Sequence, residues 1–399
     1  MIKASDAVRA QRTNTRGLIL EAIRTRGPIS RGELAEATGL TAATMTNVVR
    51  RLLEDGLVLE TGRGESTGGK RRVLLEVDAG ARFGVGIQLG FRSTVLVVSN
   101  MWGAVVGRSR MAGIGRAHPD EYIERLAIGL LDLIDSLGLD RDLVVGAGVA
   151  VPGSFDGFRQ SPDTQELLEA WASFPLQDRL VEYTAVDAVV ECEAIAAAIG
   201  ERWSGAVADS EAFAVILMED AIGVGAVLQG RTLRGAHGHA GDLGHMLIDP
   251  AGPSCTCGAR GCLVAVAGPA ASLRRYSSAV GRQVSAARLN AAAVAGDPVA
   301  VSALAPSVNA FATAAASMTD MLDLERIVLA GTGFGSAMSL FITGIQTALD
   351  ERSRRRGRPP VIVQASVSVR DAPALGAAAL VLHEEMIGAG MPPGIVAAR

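Results

Sequence analysis

From about residue 82 onward the chain alternates short apolar runs with stretches of helix length, and this alternation restricts the fold more than any other feature. "FGVGIQLG" and "STVLVVSN" read as one strand pair, "LVVGAGVAV" as a further strand, "AFAVILM" and "GVGAVLQG" as a second pair, and "RIVLAG" and "PVIVQAS" as later strands. Helical patterns fill the gaps at Glu121 to Leu137, Ala194 to Trp203, Pro298 to Leu322 and Gly335 to Ser353. Strands and helices in alternation predict an α/β body, with two lobes and a cleft between them. At 399 residues and 49% hydrophobic, the chain is long enough to bury large cores and to form more than one domain. No apolar run is expected to approach the roughly 20 residues that cross a bilayer. The opening "MIKASDAVRAQRTNTR" is polar, so neither a signal peptide nor an anchor is expected, and the expected address is cytoplasmic with no membrane partner. The basic run "SRRRGRPP" at 353–360 reads as an exposed loop before a strand.

Residues 1–80 have a different texture. They hold 13 Lys and Arg against 10 Asp and Glu, while the remainder holds 25 against 32, so a chain of net charge −4 is basic at its start. That sign suits a module facing an acidic polymer. Ser30 followed by Glu33 is a capping box that opens a short helix ending at Gly39. Thr41 caps a second helix, on which Met45, Val49 and Leu52 form one apolar face. With the amphipathic stretch Leu18, Ile19, Ala22, Ile23 before them, the two helices make a helix-turn-helix whose second member fits a major groove. Its outward positions are Thr44, Thr46, Asn47 and Arg50, types that read base edges or hold phosphate. Strand, glycine-rich tip and strand follow as a wing. Arg63, Lys70, Arg71 and Arg72 lie around that tip, next to Gly68 and Gly69. Duplex DNA is the expected partner of this head, and Thr41, Thr44, Thr46, Asn47, Arg50, Arg63, Lys70 and Arg71 are its candidate contacts.

His245, Cys255, Cys257 and Cys262 fall within eighteen residues of a chain with four cysteines in all. Too few for a disulfide framework, clustered thiols in a reducing compartment more often hold metal. One imidazole and three thiolates suit tetrahedral Zn2+, and a closed set of four ligands leaves no position for a reacting water, so the expected metal is structural. Cys192 stands apart in sequence and reads as a small apolar residue.

The order of "VPGSFDG" at 151–157, "GHAGDLGH" at 238–245, "CTCGARGC" at 255–262 and "IVLAGTG" at 327–333 resembles the ROK family of bacterial repressors, open reading frames and sugar kinases, over nearly the whole chain. The winged helix in front of this body is similar to the repressor branch. The resemblance implies an actin-like, hexokinase-like body of two lobes behind a winged helix-turn-helix. The expected domains are 1–80, the DNA-binding head; 81–193, the first lobe; and 194–399, the second lobe, with the zinc, the dimerisation surface and a final helix free to return to the first lobe. It further implies structural zinc on the four residues above, a sugar or sugar-derivative effector near Gly153, Asp156, Glu193, Asp242 and His245, and a homodimer or dimer of dimers on a pseudo-palindromic operator.

Several positions depart from the kinase pattern of that family. Sugar-phosphorylating relatives carry Asn-Asp where this chain has Cys192-Glu193, and Glu where it has Asp242. Where they have an Asp and then Gly-Gly-Thr, this chain has Gln88 and then Gly90, Phe91 and Arg92; the second phosphate turn shows Glu219, Asp220 and Ala221 in place of a Gly-Thr-Gly opening. Leu263 is followed by Val264 instead of the family's Glu. A phenyl ring where backbone must meet phosphate, and carboxylates beside it, oppose nucleotide binding. The expected activity is a carbohydrate-responsive transcriptional regulator, first a repressor, with no catalysis. The readings set against it are a sugar kinase that retains activity and a DNA binder indifferent to ligand.

Overall fold

The computed structural model describes residues 4–63, 72–153, 165–204, 206, 207 and 209–387. The head comprises α1 (Ala4–Arg26), β1 (Ile29–Ser30), α2 (Arg31–Thr38), α3 (Ala42–Glu54), β2 (Val58–Arg63) and β3 (Val73–Val77), with the strands in the antiparallel order β1-β3-β2. Its helices begin and end where local chemistry dictates. Glu33 accepts the Ser30 backbone N–H at 2.9 Å while the Ser30 hydroxyl accepts the Glu33 N–H at 3.4 Å, and Gly39 closes α2 at φ 67°. Thr41 caps α3 through the Thr44 N–H, and Met45, Val49 and Leu52 are its buried face.

The body contains two five-stranded sheets with one topology. The first lobe runs β4 (Phe83–Gln88), β5 (Ser93–Asn100), β6 (Val105–Ala112), α4 (Pro119–Ser136), β7 (Val144–Val151), α5 (Gln165–Ser173), α6 (Leu176–Thr184), β8 (Ala188–Cys192) and α7 (Glu193–Trp203). The second runs β9 (Ala212–Met218), β10 (Ile222–Leu228), β11 (Arg231–Thr232), then α8 (Leu263–Ala267), α9 (Pro269–Ala279), α10 (Ala286–Val294), α11 (Pro298–Leu322), β12 (Arg326–Ala330), α12 (Met338–Arg356), β13 (Ile362–Ala365) and α13 (Ala372–Ile387). The sheet orders are β6-β5-β4-β7-β8 and β11-β10-β9-β12-β13, and in each the first two pairings in sequence are antiparallel and the last two parallel. Strands β4 and β9 are buried along nearly their whole length, which is why they read as continuous apolar runs.

The closing helices are exchanged between the lobes. Helix α7 packs on β9 and β10 of the second sheet, α13 packs on β4 and β7 of the first, and the two helices pack on one another. Their alanine-rich faces permit this. At Gly376 a Cβ would sit 1.6 Å from the Ala196 carbonyl oxygen, and at Gly86 1.8 Å from that of Ala374, so neither approach tolerates a side chain.

Three expectations need correction. Helix α11 is long and apolar enough to cross a membrane, against the expectation that no run approaches that length; half of its most apolar window is buried. Phe311 on α11 stacks on Phe334 and Phe341 at 5.6 and 5.4 Å, so the run is apolar because it is a core helix. The helix expected from Gly335 starts at Met338, because Gly335 adopts φ 52° in the preceding 3-10 turn. Half of the basic run lies on helix instead of in a loop: Ser353 to Arg356 complete α12, whose last turn favours cations, before Gly357 ends it at φ 62°.

Candidate functional site

Helix α3 presents Thr46, Asn47 and Arg50 to solvent, with Thr41 exposed at its cap. Their chemistry is not equal. The Thr46 hydroxyl donates to the Ala42 carbonyl at 2.8 Å, and the Thr41 and Thr44 hydroxyls bond each other at 3.0 Å, so these three are engaged within the helix. Asn47 and Arg50 have no side-chain partner among the described residues and keep their donors and acceptors for a ligand. Arg63 ends β2, opposite Val73. Lys70 and Arg71 lie outside the described residues, as does Asp156.

The head is fastened to the body through α1. Ile19, Leu20 and Ile23 share one core with Ile195, Ile199 and Trp203 of α7 and with Leu380, Leu382 and Met386 of α13. Arg24 forks onto Glu21 with two 2.8 Å bonds, donates to the Trp203 carbonyl at 3.0 Å and lies 4.0 Å above the Trp203 ring. The ion pair is buried, so its attraction is largely offset by desolvation; its value lies in geometry, and losing either partner costs about 3–5 kcal/mol. Trp102, in the β5–β6 turn, adds a 3.0 Å bond to the Val77 carbonyl at the wing's base. Nothing in local spacing signals this junction: Arg24 and Trp203 are 179 residues apart, and α13 lies further along the chain still.

A cavity of about 650 Å3 lies between the lobes. Of the expected ligand residues, Gly153, Glu193, Asp242 and His245 line it together. Cys192, read as an ordinary apolar residue, lines it as well and starts α7; burial pushes its thiol up, so it is no reactive thiolate. Glu193 accepts from the Gln88 amide at 3.4 Å, but burial and the charge of Glu219 outweigh that bond and push its carboxyl up to about 8. Sequence reasoning missed Glu169 and Arg274, which also line the cavity. Arg274 falls on α9, where no motif marks it.

Below the cavity, the ligand atoms of His245, Cys255, Cys257 and Cys262 all lie within 4.8 Å of one another. The His245 Nδ1 to Cys255 Sγ separation is 3.5 Å and the Cys257 to Cys262 Sγ separation 3.6 Å. Zn–S bonds of about 2.3 Å and Zn–N bonds of about 2.0–2.1 Å place tetrahedral edges near 3.6 and 3.8 Å, so the four residues fit that ion. The loop closes because Gly261, at φ 69°, packs where a Cβ would meet the Asp249 carbonyl oxygen at 1.5 Å. A hydrogen bond from the Ala259 backbone holds the Cys257 thiol down to about 7, whereas burial and the neighbouring thiols push Cys262 up to about 12. Three thiolates this close repel one another unless a cation sits among them.

Two hairpin turns face each other across the cleft. Gly90, Phe91 and Arg92 form one; Glu219, Asp220 and Ala221 the other. Arg92 reaches Asp220 at 3.4 Å across the cleft. Glu219 takes the Thr332 N–H at 3.1 Å and its hydroxyl, so a carboxylate of the chain itself occupies the donors at the head of the "GTGFG" turn.

Fold and site together define a sugar-kinase-like body fused behind a winged helix-turn-helix. The ROK family profile matches residues 84–384, and the chain belongs to the ROK family. The MarR family profile matches residues 13–61, within the head. The xylose repressor of Bacillus subtilis strain 168 is 31% identical over 245 residues, 61% of this chain and 63% of that protein. The chain spans about three fifths of the length of the curated relatives it matches. A ROK family transcriptional regulator, described as a homologue of the E. coli MLC protein, superposes with a TM-score of 0.74 at 22% identity, over 95% of this chain and 98% of that one. The ROK hexokinase of Thermus thermophilus superposes on 74% of this chain and 97% of its own, with a TM-score of 0.59 and 27% identity.

Proposed function

We propose that the chain is a DNA-binding transcriptional regulator, first a repressor, of carbohydrate-related genes, and that its body senses a sugar without transferring phosphate. The observation that carries this reading is Asn47 and Arg50, exposed and unpartnered among the described residues on the second helix of a capped helix-turn-helix, with the preceding helix α1 welded to α7. Asn47 suits adenine, and Arg50 guanine or phosphate. Helix α7 begins at Glu193 in the cavity and ends at Trp203 under Arg24, so an effector that prefers one placement of α7 biases the placement of the head. Arg63, Lys70 and Arg71 serve the wing's contact with the duplex.

In this reading residues 1–80 are the DNA-binding head, 81–193 the first lobe and 194–399 the second. Zn2+ on His245, Cys255, Cys257 and Cys262 is structural and holds the segment carrying Asp242. His245 lies where the metal site meets the cavity wall, and with Gly153, Asp156, Glu193 and Asp242 it forms the effector site. The homodimer, alone or as a dimer of dimers, places two recognition helices on a pseudo-palindromic operator. Absence of catalysis is supported by Phe91 in the first phosphate turn, by Gln88 in place of an acid and by Glu219 on the donors of Thr332.

The test is retention of promoter fragments from the chain's own gene neighbourhood. Replacing both Asn47 and Arg50 by Ala is expected to weaken operator-specific retention by about 30-fold or more, at about 1–3 kcal/mol per contact, with an unchanged melting temperature. Equal retention by wild type and variant rejects this placement of the recognition helix.

A further inference from the structure

We propose that Cys257 is an oxidation site: hydrogen peroxide joins it to Cys262 as a disulfide, the cluster gives up its ion, and the cavity wall built on the cluster loses its anchor. The inference rests on the reading of the four residues as a zinc site and adds a chemical control over it.

The four ligands differ in access. Cys257 is exposed, His245 and Cys255 are half-buried, and Cys262 is only 1% exposed. A solute therefore reaches the Cys257 sulfur first, and a sulfur that can resolve the oxidised form stands 3.6 Å away on Cys262. An exposed thiolate beside a resolving thiol is the arrangement that peroxides oxidise reversibly. Cys255 is the poorer partner. A bond from it to Cys257 would close a ring around Thr256 alone, and its sulfur already lies against His245 Nδ1 at 3.5 Å. Between Cys257 and Cys262 the chain has four residues, of which Gly258 and Gly261 stand at φ 93° and 69°. A Cβ at Gly258 would meet nothing within 4 Å, so the loop has room to turn there and to close the remaining gap of about 1.5 Å to a disulfide bond.

The reaction balances with the peroxide as its one oxidant. The Cys257 thiolate attacks a peroxide oxygen; an S–O bond forms, the O–O bond breaks and the other oxygen leaves as hydroxide. The Cys262 thiolate then attacks the Cys257 sulfur, an S–S bond forms and the S–O bond breaks, releasing a second hydroxide. Two protons from solvent turn both hydroxides into water, and the peroxide has taken up the two electrons that the thiolates lost. Only His245 and Cys255 then remain as ligands, too few for a closed tetrahedral site. The consequence falls on the cavity. His245, Ser254, Cys255 and Thr256 line it, and Cys262 caps α8, which contributes Val264 and Ala265. Both sides of the cluster carry cavity wall, so oxidation at the exposed Cys257 reaches the effector site through the loop that bears it.

The experiment follows zinc release from the full-length protein with a metal-binding dye during exposure to millimolar hydrogen peroxide, and maps the product by tryptic digestion without reductant. Arg260 places a cut between the two sulfurs, so a Cys257–Cys262 disulfide joins two peptides that separate on adding dithiothreitol, and fragmentation of the joined species locates the bond. One zinc per chain is expected to leave as two of the four thiols disappear, and both return on reduction in the presence of Zn2+. Limited proteolysis within 233–297 should become about tenfold faster in the oxidised protein. Cys257→His keeps a nitrogen and sulfur ligand set, and should hold zinc and release it about tenfold more slowly under the same exposure. Should that variant not take up zinc, the peptide map of the wild type decides. Four results overturn the proposal: zinc retained while glutathione in the same solution is oxidised, a bond formed through Cys255 or Cys192 instead, a loss that dithiothreitol does not reverse, or release from Cys257→His at the wild-type rate. Wild-type protein purified without zinc defeats the underlying metal site as well, so the zinc content before oxidation separates the two failures.

Discussion

In the first lobe, residues 113–118 suffice to pass from β6 to α4; in the second, residues 233–297 lie between the corresponding strand β11 and helix α11. The strand orders on either side of these connections are the same. The long connection holds Asp242, the four-residue cluster, α9 with Arg274 and most of the cavity wall. The first lobe instead offers its outer β5–β6 turn to the head, through Trp102. One lobe's connection carries most of the cavity wall and the cluster, the other lobe's turn carries a fastening, which fits loops as carriers of function on a shared scaffold. What remained equivalent is the first hairpin turn of each lobe, and the two turns meet through Arg92 and Asp220.

The strongest way to break this comparison is to remove the metal. If the cluster is what gives the second lobe's insertion its shape, wild-type protein carries one zinc per chain, and Cys257→Ser carries much less. The loss should cost several kcal/mol and lower the melting temperature by on the order of 10 °C. Limited proteolysis should then cut within 233–297 and spare the first lobe. Zinc-free wild-type protein rejects the site; cuts spread equally over both lobes reject the asymmetry.

The head and the cluster were legible in the sequence because both are local. Ser30 and Glu33 are three residues apart, Gly39 and Thr41 bracket the turn, and the four ligands fall within one short loop. The α/β character of the body was legible for a similar reason, since buried strands leave continuous apolar runs. The exchange of α7 and α13 was not. Their alanines and glycines carry no periodic signal, and only the close approach of Gly376 to Ala196 shows why small residues were required. The two-residue strand β11 is too short to leave a pattern, and the apolar α11 reads alike as core or membrane helix. Arg274 became visible only when the fold placed it on the cavity wall.

A smaller effect sharpens the comparison at the cleft, where Glu193 of the first lobe's last helix meets Glu219 of the second lobe's turn. The carboxyl of Glu193 rises from 4.5 to about 8 on folding, chiefly through burial and secondly through Glu219. Between those pH values the folded chain holds a proton that the unfolded chain has released, so this group's contribution to stability falls as pH rises from about 4.5 to about 8 and is level outside that window. Glu193→Gln removes the titration. Denaturant midpoints at pH 5, 6.5 and 8 should decline less steeply in the variant than in wild type. Parallel declines would mean that Glu193 is solvated in the folded chain and that the two lobes do not close over it.

The smallest effect expected is at the ion pair joining the two altered turns. Arg92 and Asp220 approach to 3.4 Å, but their side chains are 81% and 47% exposed, so solvent screens the attraction and the long Arg92 side chain gives up rotamer freedom to make it. A double-mutant cycle with Arg92→Ala, Asp220→Ala and the pair should give a coupling of about 0.5 kcal/mol or less, falling further at high salt. A kinase draws its lobes together on a nucleotide and its metal, with far more energy than this contact supplies. Among the described contacts, the packing of α7 on α13 and of each on the opposite sheet joins the lobes far more extensively than this pair. A measured coupling above about 2 kcal/mol would make the turns a latch in their own right and would shift the control of lobe closure away from the effector site.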